Sequence, residues 1–103
     1  MILSEKNTLS EDISAAKKKG YNLEFYYRNQ KLYSRNSNQV FTKDECYLVE
    51  YCRHEGMTDP GDASILFLIS CNDGSKGCIS TGYGIYAESE VIDFILSLKK
   101  INS

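Results

Sequence analysis

Apolar residues recur at helical spacing close to the start of the chain. Leu9, Ile13 and Ala16 follow one another at intervals of four and three residues, which places them on one face of a helix. Thr8–Glu11 fits a capping box, in which two side chains satisfy the free amides of a first helical turn. Gly20 suits the left-handed residue that commonly ends a helix. The pattern predicts a short N-terminal helix that ends at this glycine.

A second helical pattern covers Ser89–Ile101, close to the other end of the chain. Its apolar residues share one face at intervals of three and four, as expected for a helix packed on a core. They are Val91, Ile92, Ile95, Leu98 and Ile101. The pattern predicts a C-terminal helix.

Between these two helices, runs of aromatic and β-branched residues alternate with turn residues, which is typical of strands. The predicted strands are Tyr21–Arg28, Lys31–Ser34, Cys46–Glu55, Ala63–Cys71 and Lys76–Tyr83. Thr42–Glu45 is a second capping-box pattern and predicts one helical turn before the third strand. Asp73-Gly74 is typical of a hairpin turn and joins the last two strands.

The third and fourth strands differ in how their apolar residues are arranged. The fourth contains five consecutive apolar residues, Ile65–Ile69, so it should be central in its sheet or covered on both faces. The third mixes apolar and polar residues on both faces. On one face, for example, Leu48 lies beside Glu50 and Cys52 beside His54. The sequence leaves open which face of that strand is buried.

These elements predict an α+β fold in the order α-β-β-β-β-β-α. Successive strands are joined by connections short enough for antiparallel pairing, whereas a parallel pair needs a crossover of about a dozen residues. We therefore expect an antiparallel sheet of about four to five strands with both helices packed on one face. The chain has 103 residues, which suits a single domain over residues 1–103. It shows no secretory signal and no apolar run near the roughly 20 residues that span a bilayer, so a cytoplasmic location is expected.

Charge is unevenly distributed along the chain, whose formal net charge is −2. Residues 1–43 carry a net charge of +4 and residues 44–103 a net charge of −6. The acidic total excludes binding of a polyanion by bulk attraction alone. A basic surface in the first half stays open, as does a contact between opposite charges of two copies. Acidic loops that simply cluster late in the chain would give the same numbers.

The four cysteines do not match a zinc-binding pattern. Cys46, Cys52, Cys71 and Cys78 are spaced C-x5-C-x18-C-x6-C, without the tight C-x2–4-C pair of most structural zinc sites. We expect free thiols that pack as small apolar residues. No metal and no cofactor is expected from the sequence.

The single histidine, His54, carries the sharpest catalytic hypothesis. Cys52 and His54 are two residues apart on a predicted strand, so they point the same way at a separation of roughly 7 Å. They could form a Cys–His pair, with Glu50 on the same face to orient the ring. A lone strand histidine is more often a packed or surface residue, so no catalytic residue is assigned.

Acidic residues also cluster around the turn that follows this strand. Asp59 and Asp62 lie close to Glu55 and could hold a divalent cation. The D-x-D-x-D-G pattern of calcium loops is absent, and aspartates favour turns because they hydrogen-bond to nearby backbone. The turn interpretation is therefore preferred.

Aromatic and basic residues alternate over residues 21–35. The rings belong to Tyr21, Phe25, Tyr26, Tyr27 and Tyr33, and the cations to Arg28, Lys31 and Arg35. Such a surface can stack the bases of a single-stranded nucleic acid and attract its phosphates. The same rings could instead fill the core or form a dimer contact.

Several segments resemble a family of roughly hundred-residue bacterial proteins of unknown function. The resemblance covers nearly the whole chain. It rests on Lys19–Tyr21 with Phe25, Glu55–Pro60, then Asp62, Ser64 and Ile69–Ser70, and on Asp73–Gly77 and Tyr83–Ala87. Members often carry the label phosphoribosylpyrophosphate synthetase. Those enzymes are several times longer and use an acidic phosphoribosyl loop that this chain lacks, so the resemblance implies a fold but no active site. His54 departs from the family pattern, which favours an apolar ring there.

Taken together, the residues favour a non-catalytic binding or interaction domain without a membrane partner, which could act as a homodimer or with a protein partner. The alternative is a nucleic-acid or nucleotide binder that uses the basic, aromatic first half. A small enzyme with a Cys/His site comes third. The candidate surface consists of Tyr27, Arg28, Arg53, His54, Asp59 and Asp62.

Overall fold

A curled, half-barrel-like sheet of seven strands carries the two helices in the computed structural model, which describes residues 2–54, 63–82 and 89–101. The elements are α1 (Leu9–Lys18), β1 (Leu23–Arg28), β2 (Lys31–Ser34), β3 (Val40–Thr42), a one-turn 3₁₀ helix (Lys43–Glu45), β4 (Cys46–His54), β5 (Ser64–Cys71), β6 (Lys76–Gly82), α2 (Ser89–Leu96) and β7 (Lys99–Lys100). Across the sheet the strand order is β3-β2-β1-β6-β5-β4-β7.

The sheet is mixed, so the prediction of a four- to five-stranded antiparallel sheet is wrong. β1 pairs in parallel with β6, through Leu23 with Gly77 and Glu24 with Cys78, and β4 pairs in parallel with β7. The prediction considered only strands that follow one another in the chain, whereas β1 and β6 are separated by four strands and the 3₁₀ helix, which supply the crossover. A Cβ on Gly77 would collide with the backbone oxygen of Leu23, so a glycine permits this close pairing.

The helices pack on opposite faces of the sheet, which corrects the prediction that both lie on one face. On β5, Phe67 belongs to a core cluster with Phe94 of α2, whereas Leu66 belongs to a second cluster with Ala16 of α1. We call these two sides the α2 face and the α1 face. The physical reason is that β5 is apolar on both sides, and each side needs a cover. The expectation that this strand is covered on both faces is confirmed.

A β-bulge explains why β4 mixes apolar and polar residues on both faces. The pairing of β4 with β5 shifts between Leu48 and Glu50, so one extra residue is inserted there. Leu48 lies in the α2-face cluster, whereas after the bulge Cys52 packs against the α1-face cluster. The even-numbered residues of β4 therefore change faces halfway along the strand. Glu50 and His54 follow Cys52 onto the α1 face.

The predicted start of α1 is confirmed. The Thr8 side chain accepts a hydrogen bond from the Glu11 amide, and the Glu11 carboxylate accepts one from the Thr8 amide. Gly20 has a φ of +99°, as expected for the residue that ends this helix. The C-terminal helix is shorter than predicted, because Lys99–Lys100 pair with β4 as strand β7.

The described residues form one small domain of mixed helix and strand. Its Cα radius of gyration is 13.0 Å, close to the value of about 13 Å expected for 100 residues in one compact unit. Among the ranges described, neither helix is both long and apolar enough to pass through a bilayer.

Candidate functional site

Asp12 of α1 and His54 of β4 meet inside the α1 face. The Asp12 side chain is fully buried and that of His54 is 7% exposed. The Nε2 atom of His54 lies 2.9 Å from Oδ2 of Asp12. Asp12 lies one turn before Ala16 on the buried side of α1, so the helix places a carboxylate against the sheet. A buried charge of this kind requires partners.

Backbone and amide donors from the N-terminal segment supply those partners. The Ser4 amide lies 3.1 Å from Asp12 Oδ2, and Asn7 Nδ2 donates to Asp12 Oδ1 at 2.8 Å. Farther along β4, the Glu50 carboxylate accepts from the amides of Ile2 and Leu3. Two carboxylates therefore hold residues 2–7 against the α1 face.

The two ring nitrogens of His54 have different surroundings. Nδ1 lies 3.2 Å from the backbone oxygen of Asn7. A carbonyl oxygen only accepts hydrogen bonds, so Nδ1 carries the hydrogen. Nε2 is buried 2.9 Å from Asp12 Oδ2 but makes no hydrogen bond to any described residue.

Cys52 completes a cluster of three potential metal ligands with Asp12 and His54. The ligand atoms of these side chains all lie within 4.8 Å of one another. Burial raises the pKa of the Cys52 thiol, and the negative charges of Asp12, Glu5 and Glu50 raise it further. The thiol therefore stays protonated at neutral pH, and the reactive thiolate that the Cys–His hypothesis needs is disfavoured.

An open groove runs beside this cluster along β4. It has a volume of about 890 Å³ and is lined by Ser4, Glu5, Glu50 and Cys52, among others. Glu50 was expected to orient the His54 ring, but its carboxylate binds the N-terminal segment instead. Asp12 takes the position beside the ring.

The structure separates the aromatic residues of the first half into two groups. Tyr21 and Phe25 are buried in the two core clusters. Tyr27 packs against Phe94 with ring centroids 5.1 Å apart. Of these rings, Tyr26 and Tyr33 project from the α1 face of β1 and β2 and are half-buried, as the alternation from buried Phe25 and Leu32 requires.

Tyr26 and Tyr33 form a stacked pair on that surface. Their ring centroids lie 5.3 Å apart with an angle of 18° between the planes, and the Arg35 guanidinium lies 5.1 Å from the Tyr26 centroid. Arg28 and Lys31 are exposed partners across the β1–β2 hairpin. Like charges placed directly opposite each other destabilise a sheet. We call Tyr26, Arg28, Lys31, Tyr33 and Arg35 the open face.

The α1 layer does not extend over the open face. The cluster under α1 contains residues of β4, β5 and β6 but none of β1, β2 or β3. A cavity of about 260 Å³ lies between β1 and β6; Tyr26, Arg35 and Ser80 line it beside the open face, whereas Phe25, Ile79 and Thr81 line it from the α2 side. The buried Thr81 Oγ1 has no hydrogen-bond partner in the described part of the chain.

Comparison with known proteins finds no matching family model, no matching curated protein and no matching solved structure. The resemblance to the family labelled phosphoribosylpyrophosphate synthetase therefore stays a prediction.

The described residues of the predicted candidate surface lie at two separate places on the sheet. Tyr27 and Arg28 lie on β1, whereas Arg53 and His54 lie on β4, with β6 and β5 between them. Asp59 and Asp62 lie outside the described residues. Of the predicted residues, only Arg28 belongs to the open face, and His54 is buried beside Asp12.

Sequence reasoning missed Asp12. An acidic residue in the first turns of a helix is ordinary, because it interacts favourably with the helix dipole. The one available signal was its spacing of four residues from Ala16, which places it on the buried stripe. That spacing indicates that Asp12 is buried, but it does not indicate that His54 lies beside it.

Proposed function

We propose that this chain is a non-catalytic binding domain that binds single-stranded nucleic acid on the open face. The proposal combines the main interpretation of the sequence with its first alternative. The stacked pair of Tyr26 and Tyr33, half-buried among three exposed cations, carries it. Aromatic rings on a sheet surface stack bases of any sequence, and neighbouring cations attract the phosphates.

Local charge supports this ligand although the whole chain is acidic. Arg28, Lys31 and Arg35 add three positive charges to the open face, while the nearby Glu24 lies 3.5 Å from the Lys17 ammonium. Arg28 and Lys31 face each other across the hairpin at an electrostatic cost, which a bound phosphate would relieve. Three phosphate contacts would give a slope of about −2 for log K against log salt concentration.

The cavity between β1 and β6 supports a base at this position. Its 260 Å³ can admit a planar ring beside Tyr26 and Arg35. Ser80 also lines the cavity and pairs with Leu66 of the α1-face cluster, so its exposed side chain lies on the same side of the sheet as Tyr26. Its hydroxyl can donate to or accept from a base edge.

Tyr26→Ala and Tyr33→Ala should each weaken binding of a fluorescently labelled oligothymidylate by about 5- to 150-fold, since one stacked base contributes about 1–3 kcal/mol. Fluorescence anisotropy at two salt concentrations would measure both the affinity and its salt slope. Tyr51→Ala is the matched control, because Tyr51 is 50% exposed and lies on β4, away from the open face.

Charge variants provide a second arm of this experiment. Lys31→Gln combined with Arg35→Gln should reduce the salt slope, whereas Lys99→Gln combined with Lys100→Gln on β7 should leave it unchanged. Binding that survives both tyrosine substitutions contradicts the proposal. So does an affinity without salt dependence. If the open face pairs two copies instead, sedimentation would show a dimer that Tyr26→Ala dissociates and no oligothymidylate binding.

A further inference from the structure

The Asp12 carboxylate and the Nε2 atom of His54 face each other on the α1 face without a hydrogen bond between them. His54 Nε2 and Asp12 Oδ2 are 2.9 Å apart, and both side chains are more than nine-tenths buried. An unprotonated nitrogen and a carboxylate would repel each other at this distance, so a positive charge must lie between them. That charge is either a proton or a metal ion.

Hydrogen bonds around the cluster prepare Nε2 as a ligand atom. Nδ1 of His54 faces the Asn7 carbonyl and therefore keeps its hydrogen, which leaves Nε2, 2.9 Å from Asp12 Oδ2, with a free lone pair. Histidines that bind metals commonly donate their other N–H to a carbonyl or carboxylate in this way. Asp12 is oriented in turn by Asn7 Nδ2 at 2.8 Å. Asn7 therefore fixes the orientation of both His54 and Asp12.

We propose that Asp12, Cys52 and His54 bind a divalent transition-metal ion of the zinc type. Zinc prefers nitrogen, sulfur and carboxylate oxygen, and three protein ligands with one free position are typical of sites that also bind a small molecule or water. Tetrahedral zinc places its ligand atoms about 3 to 4 Å apart, given bond lengths of about 2.0 to 2.3 Å. The ligand atoms of the three side chains all lie within 4.8 Å of one another, and Nε2 and Oδ2 are 2.9 Å apart, so small side-chain movements would bring them to these separations.

Charge and access also favour a cation. Asp12 is fully buried, and Glu5 and Glu50 add negative potential at Cys52, so the cluster lies in an electronegative part of the protein. A bound ion would convert the Cys52 thiol to the thiolate, giving a neutral set of one Zn²⁺, one carboxylate, one thiolate and one imidazole. Cys52 also lines the groove of about 890 Å³, through which an ion can enter. The inference is independent of nucleic-acid binding.

Cobalt(II) titration of the metal-free full chain tests the proposal. Coordination by Cys52 should produce a thiolate-to-cobalt charge-transfer band that Zn²⁺ abolishes by competition. Cys52→Ser should remove this band. Cys78→Ser is the matched control, because Cys78 is buried in the apolar cluster under α1 against which Cys52 packs, but is not one of the three proposed ligands. His54→Gln should lower zinc affinity by about 10- to 100-fold or more.

A measurement on the unmutated protein guards against variants that fail to fold. The chain has one histidine, so its imidazole ¹⁵N signals belong to His54 without ambiguity. Zinc should shift the Nε2 signal strongly while Nδ1 stays protonated. An unchanged histidine spectrum at saturating zinc contradicts the proposal. A cobalt band that persists in Cys52→Ser would assign the ion to other thiols and equally overturn it.

Discussion

Asp12→Ala should lower the free energy of unfolding by about 3–5 kcal/mol, measured by urea denaturation with a chelator present. Removing a buried carboxylate leaves its hydrogen-bond donors unpaired, which costs about 1–3 kcal/mol for each donor. The substitution strands the Ser4 amide and Asn7 Nδ2 as well as His54. Asp93→Ala is the matched control, because Asp93 is an exposed helical carboxylate and its loss should cost less than about 0.5 kcal/mol.

A double-mutant cycle would show that the effect runs through His54. The Asp12→Ala/His54→Ala variant should be destabilised by clearly less than the sum of its two single variants, since the second substitution removes the group that the first left unpaired. Simple additivity would contradict the role assigned to the pair. So would a cost for Asp12→Ala as small as that of the exposed control.

Leu66→Ala and Phe67→Ala should both be strongly destabilising, although the two side chains point to opposite sides of β5. Both are fully buried, Leu66 in the cluster under α1 and Phe67 in the cluster under α2. Truncation of a buried leucine costs about 2–5 kcal/mol and of a buried phenylalanine about 3–5 kcal/mol. Denaturant midpoints of the two variants would measure these losses.

Leu96→Ala supplies the control for the two core truncations. Leu96 is 40% exposed on α2, so the same change in side-chain size should have a much smaller effect there. If both helices packed on one face, one of the two β5 substitutions would be tolerated about as well as Leu96→Ala. That result would contradict the arrangement with one helix on each face of the sheet.

Local features of the fold could be predicted from the sequence because they depend on neighbouring residues. The capping box at Thr8, the left-handed Gly20 and the helical turn at Lys43–Glu45 were all predicted correctly. The two-sided cover of β5 followed from five consecutive apolar residues. Each of these signals lies within a few positions of the element that it determines.

Long-range features could not be predicted in the same way. The parallel pairing of Leu23 with Gly77 joins positions more than fifty residues apart, and only the lack of a side chain at Gly77 hints at it. The bulge after Leu48 exchanges the faces of β4, which a simple alternation of residues cannot express. Short strands such as β3 and β7 lack an alternating pattern long enough to detect.

The open face and the metal-ligand cluster could be predicted only in part, because both depend on residues that are distant in the sequence. The sequence placed Tyr26, Tyr33 and three cations in one segment, but it also included Tyr21 and Phe25, which are buried in the core. The sequence placed Cys52 and His54 on the same side of a strand, but it suggested Glu50, rather than Asp12, as the residue that orients the His54 ring. Asp12 could be recognised only after α1 had been placed on the sheet.

The most direct test of binding on the open face is an amide chemical-shift titration of the ¹⁵N-labelled protein with a short oligothymidylate. The largest shifts should fall on β1 and β2, at Tyr26, Tyr33 and Arg35, and weaken as salt is added. Residues of β7 and the exposed side of α2 should not respond. Shifts confined to the groove along β4, or none at millimolar oligonucleotide, would contradict the assignment of this surface.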